Sequence, residues 1–98
     1  MIQTIARQVI RKEHIAEYQQ LAAELTRQSA KETGCVSYVS VQSVDDPRVH
    51  LFIECWKDQN AIDFHCSTTH FTTIVPQFAD LFDEAETVTR YEVLASSF

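Results

Sequence analysis

Near His14 the spacing of apolar residues switches from every second position to every third or fourth, and at Cys35 it switches back. A strand repeats every two residues and a helix every 3.6, so no single element runs across either switch. Ile2 to Ile10 is rich in Ile, Val and Thr, with Ile5 and Val9 on one face and Ile2, Ala6 and Ile10 on the other. This reads as a strand with both faces partly covered. Ile15, Tyr18, Leu21, Ala22, Leu25 and Ser29 then form the stripe of an amphipathic helix expected over residues 12–32. No Ser, Thr, Asp or Asn marks its start, whereas Gly34 is placed for a left-handed cap at its end.

Cys35 to Val44 and Val49 to Trp56 alternate again, and Asp45-Asp46-Pro47-Arg48 between them is a turn, so the pair reads as a β-hairpin. Asp58 is placed to cap a short helix carrying Ala61, Ile62 and Phe64 on one side. Ser67 or Thr68 caps a second helix through Phe71, Ile74, Val75, Phe78, Leu81 and Phe82, with a bend expected near residues 73–75 because Pro76 falls inside it. Glu86 to Ala95 closes the chain as a fourth strand. The order β-α-β-β-α-β predicts an α+β, ferredoxin-like fold, a four-stranded antiparallel sheet with its helices on one face. The other face keeps apolar residues with nothing in the chain to cover them, so a homodimer through that sheet face is expected.

The 98 residues make one small domain, 1–98. A net charge of −6 with eight scattered Lys and Arg leaves no basic stripe, which argues against nucleic acid and against an anionic membrane surface. No apolar run approaches the roughly 20 residues that cross a bilayer, and the expected place is the cytoplasm. Cys35, Cys55 and Cys66 form no C-x-x-C pair and are expected as free thiols, at least partly buried.

The chemistry concentrates in ECWKDQNAIDFHCSTTHF, Glu54 to Phe71. His65 and His70 are five apart, about 500° around a continuous helix, and no carboxylate stands at ligand spacing, so the metal signal is weak. Cys66 beside His65 invites a Cys–His reading, but adjacent helical residues do not face each other, and a buried inert thiol is the simpler account. The third reading is an apolar pocket with a few convergent polar groups. Trp56 and Glu54 share a strand face; if it meets the helices, Trp56 lies under residues 65–71, with Phe64, Phe71, Phe78 and Phe82 as further aromatic wall. An inward Glu54 needs a partner, for which His65 or His70 is available. A one-residue change of hairpin register moves Tyr38 between pocket and dimer face.

This stretch resembles the signature E-x-W-x-(D/S)-x-x-A-(hydrophobic)-x-x-H-x-x-(S/T)-x-H-F of the antibiotic biosynthesis monooxygenase domain family. Upstream, Glu32 to Tyr38 (ETGCVSY) followed by Asp45 to Arg48 (DDPR) is similar to a further segment of that family. The resemblance implies a dimeric α+β barrel, two subunits packed sheet to sheet, with a pocket between sheet and helices. It also implies cofactor-independent oxidation of quinol- or anthrone-like aromatics with O2, without metal or flavin. On that reading His65, then His70, is the candidate base; Trp56 and Phe71 stack on the substrate; Tyr38 or Glu54 orients a hydroxyl. Other members degrade haem, and some isomerise or process small phosphorylated signalling sugars, so an isomerase of small signalling metabolites is an alternative. The first strand lacks the Asn of the haem branch, since Asn60 is the only Asn, and the acidic balance gives phosphosugars no support. A non-catalytic ligand-binding module, with structural histidines, is the competing class.

Overall fold

The computed structural model describes residues Met1–Phe98. Seven main elements follow in order: β1 (Ile2–Val9), α1 (Ile15–Ser29), β2 (Cys35–Gln42), β3 (Val49–Trp56), α2 (Gln59–Ser67), α3 (Thr69–Phe78) and β4 (Thr87–Glu92). The strands form one antiparallel sheet in the order β2-β3-β1-β4, the arrangement of an α+β ferredoxin-like fold. No helix is long and apolar enough to cross a membrane.

Strand alternation sorts the two faces. Ala6, Gln8, Phe52, Glu54 and Trp56 turn toward the helices and are buried. Tyr18, Ala22 and Leu25 of α1 and Ile74 and Phe78 of α3 close the core from above. On the other face the register aligns Val39, Ile53 and Ile5 in one row and Val41, Leu51 and Arg7 in the next. Val39 is 45% exposed there, and Ile5, Val41, Leu51 and Ile53 are only partly buried.

The helix starts follow local chemistry. Asp58 accepts a hydrogen bond from the Ala61 N–H and caps α2. Thr68, rather than Ser67, accepts from the Phe71 N–H and caps α3. The unmarked start of α1 is preceded by a 3-10 turn, Lys12–His14, with no side-chain cap. α3 runs unbroken through Pro76 to Phe78, so the expected bend does not divide it; the proline lies near the helix end and a 3-10 turn follows.

Two expectations about the end of α1 are corrected. The helix stops at Ser29, and Glu32 lies beyond it in a turn, its N–H bonded to the Ser29 carbonyl at 3.1 Å. Gly34 has no positive φ and is not a left-handed cap. It is required because α2 passes over it: a Cβ there would stand 2.4 Å from the Ala61 Cβ. Gly34→Ala should therefore destabilise the fold by about 1–3 kcal/mol through overpacking. Adding Ala61→Gly should recover part of that loss, read as a positive coupling in urea denaturation of the single and double variants.

Candidate functional site

A cavity of about 280 Å³ lies between the sheet and the α2–α3 segment. Its floor is the inward face of β3, where Phe52, Glu54 and Trp56 stand two residues apart. Tyr38 joins them from β2, because the hairpin register pairs it with Glu54 and turns it to the helix side. His65 of α2 and Phe71 of α3 form part of the roof.

His65 is 3% exposed and lies over Trp56 with ring centroids 4.4 Å apart; Phe71 meets it edge-on at 5.0 Å. Its Nδ1 contacts Glu32 Oε2 at 2.7 Å. His70 Nε2 reaches the same oxygen, also at 2.7 Å. One carboxylate thus holds both histidines, and each contact has the length of a charge-assisted hydrogen bond. With its Nδ1 hydrogen donated to Glu32, His65 keeps a bare Nε2, which has no partner in the chain. Burial holds its pKa below the usual histidine value, and Glu32 opposes that shift.

Glu54 has no histidine partner, contrary to expectation. Trp56 Nε1–H donates to its Oε1 at 3.0 Å. Burial pushes its pKa up to about 7, against the hydrogen bonds of Trp56 and Tyr38, and the charges of Glu86 and Glu32 add to the rise. Burial also pushes the Tyr38 phenol well above its usual value.

Other placements differ from the sequence reading. His70 does not line the cavity; it sits behind Glu32 on an outer groove shared with Phe64, which is 61% exposed and forms no pocket wall. Phe82 packs on Phe78 and lies outside the lining. Cys66 is exposed rather than buried. All three thiols are held above their usual pKa, chiefly by burial, so none is activated as a nucleophile.

Glu32 was not singled out in the sequence because it stands 33 and 38 residues from its partners. The E-T-G-C turn that carries it was the available signal. Its arrival also supplies the missing carboxylate of a two-histidine set: the three ligand atoms lie within 4.8 Å of one another, spacing at which the same side chains could hold a divalent metal. A second buried histidine, His50, lies outside this set; Gln19 and the Arg48 carbonyl occupy its two nitrogens at 3.1 Å each.

Fold and cavity together define a small ferredoxin-like α+β protein with an aromatic-lined pocket between sheet and helices. The profile of the antibiotic biosynthesis monooxygenase family matches residues 1–77. The crystal structure of an antibiotic biosynthesis monooxygenase superposes with a TM-score of 0.92 at 33% identity, covering 97% of this chain and 100% of that one. YcnE of Bacillus subtilis, whose name carries a provisional monooxygenase assignment, is 29% identical over 84 residues, 86% of this chain and 88% of its own length. The uncharacterized protein sll1783 of Synechocystis is 27% identical over 79% of this chain, which spans about half (52%) of that relative's length. The chain belongs to the antibiotic biosynthesis monooxygenase family.

Glu54 links the cavity to stability. Its folded carboxyl holds a proton more tightly than the unfolded value of 4.5, so the folded state loses stability as pH rises from there through about 7. Glu54→Gln keeps an acceptor for Trp56 and removes that penalty. Thermal unfolding should show the variant more stable than the parent by roughly 1–3 kcal/mol above pH 7, the difference closing near pH 4.

Proposed function

We propose that the protein is a cofactor-independent monooxygenase that oxidises a small, quinol- or anthrone-like aromatic with O2. One observation carries this reading: His65 lines an apolar cavity while Glu32 holds its Nδ1 and no side chain bonds its Nε2. A buried, tautomer-locked imidazole is a base suited to a phenolic proton. The cavity, at about 280 Å³, lies at the low end of ligand pockets and suits a small aromatic.

In the proposed reaction His65 takes a hydroxyl proton. The resulting anion is electron-rich and gives one electron to O2; the radical pair joins at carbon as a peroxide, which collapses to a carbonyl and water. Trp56 and Phe71 hold the ring, and Tyr38 or Glu54 orients a hydroxyl. His70, the second candidate base on sequence, supports Glu32 from outside the cavity and thereby the orientation of His65. Family membership supports the reaction class.

The test is oxygen uptake by the purified protein, without added cofactor, against a panel of quinols and anthrone-like phenols. His65→Ala should lower kcat/KM by at least about 10²-fold. The parent's kcat/KM should fall on the acid side of pH 6.5, where a histidine of lowered pKa takes up its proton. Quenching of Trp56 fluorescence by these compounds without any oxygen uptake would instead favour a ligand-binding module.

The open sheet face supports a homodimer, a second copy covering Ile5, Val39, Val41, Leu51 and Ile53 as a dimeric α+β barrel. Sedimentation should give a dimer for the parent and a monomer for Val39→Glu, because a carboxylate there would be buried without a partner.

A further inference from the structure

Across the cavity floor, one inward residue from each strand stands in a single transverse row. The register pairs Tyr38 with Glu54, Glu54 with Thr4, and Thr4 with Arg90. All four line the cavity. Arg90 is occupied by Gln59. Trp56 takes one oxygen of Glu54, and Oε2 receives no hydrogen bond as short as that one.

Thr4 is the unexplained member. Its hydroxyl is buried and has no hydrogen-bond partner, so its lost hydration is uncompensated. Of the three buried unpartnered side-chain atoms in the chain, those of Ser29 and Glu32 belong to residues outside the cavity wall; Thr4 alone belongs to it. One χ1 step carries its hydroxyl to the position its methyl now holds and the methyl to that of the hydrogen. An orphan hydroxyl thus stands in register with the Glu54 carboxyl, which Trp56 and Tyr38 bond, on the floor below the proposed base.

We propose that Glu54 and Thr4 form the site that handles the peroxide, delivering a proton to its terminal oxygen so that the O–O bond, rather than the C–O bond, breaks. This rests on the monooxygenase reading. His65 holds the first proton removed from the substrate, and the substrate anion and O2 form a C–O–O⁻ group. Protonated Glu54, with the Thr4 hydroxyl bonded to the same oxygen, gives its proton to the terminal oxygen. The C–H proton then passes to the Glu54 carboxylate and its electron pair forms C=O. The O–O bond breaks, and the departing hydroxide takes the proton held on His65. Substrate C–OH and C–H with O2 become two C=O groups and H2O, and both protein groups return to their starting states. The competing route breaks the C–O bond and releases hydrogen peroxide, leaving a quinol oxidised by two electrons to its quinone.

The burial that holds the Glu54 pKa near 7 supports the role, since the carboxyl then carries a proton on a substantial fraction of molecules at neutral pH. The pair is also distinct in function from the His65–Glu32 unit, which removes the first proton.

The experiment measures hydrogen peroxide released per O2 consumed, with a hydroquinone, for the parent and for Thr4→Val, Thr4→Ser and Glu54→Gln. Trp56 fluorescence quenching monitors binding in each. Thr4→Val keeps the β-branched shape and removes the orphan hydroxyl, so it should fold at least as stably as the parent. The expected result is a several-fold rise in the peroxide fraction for Thr4→Val and Glu54→Gln, with Thr4→Ser close to the parent. Variants that slow uptake while keeping the parent's peroxide fraction would overturn the proposal and leave the monooxygenase reading standing. No uptake by the parent with any phenol would remove both.

Discussion

The register of β3 is the constraint on which the rest depends. It is an interior strand, paired to β2 on one side and β1 on the other. Its even positions from His50 to Trp56 face the helices, and Leu51 and Ile53 face the open side. Because the side-chain period is two, a one-residue slip would send Glu54 and Trp56 to the open face and put Leu51 and Ile53 under His65. The ten-aromatic composition of the chain matters only through this alternation, which selects Tyr38, Phe52 and Trp56 as neighbours of one cavity.

Over that floor, the cavity wall is organised by a single carboxylate. Glu32 is almost wholly buried, and burying an ionised carboxylate costs several kcal/mol. Two charge-assisted hydrogen bonds, each about 1.5–3 kcal/mol, offset that cost. Neither histidine alone would offset it as well, which gives His70 a role even though it lies outside the cavity. The same two bonds tie the turn after α1 to both α2 and α3, so the geometry of His65 is set by three segments at once. Gly34, two residues on from Glu32, lets α2 come close enough for the bond to form.

What could be read from the sequence was what local chemistry decides. The Asp58 and Thr68 caps, the turn at Asp45–Arg48 and the strand alternation depend on residues within a few positions of one another, and each appears as expected. The errors share a different cause. The role of Gly34 is set by Ala61, and the partner of the histidines is Glu32; both are contacts between distant segments. Spacing groups Phe64 with Ala61 and Ile62, but the side chain that the nine-residue α2 buries is His65, and Phe64 stays exposed. The family resemblance supplied the pocket's place and its residue types, but not which carboxylate served which residue.

Burial acts on two buried titratable groups of the pocket, His65 and Glu54, in opposite senses. It lowers the pKa of His65 and raises that of Glu54. Both shifts favour the uncharged form, so in a chain of net charge −6 these two buried side chains facing the cavity tend toward neutrality, while the charged members of its lining, Glu86 and Arg90, are exposed. A neutral substrate enters such a site without losing an ion's hydration. In the proposed reaction the first proton transfer creates an aromatic anion and an imidazolium together, a few ångströms apart in a poorly screened interior. Their attraction is stronger there than in water, and Glu32, already bonded to Nδ1, stabilises the imidazolium further. Charge then appears only when the reaction produces it, next to the groups arranged to receive it.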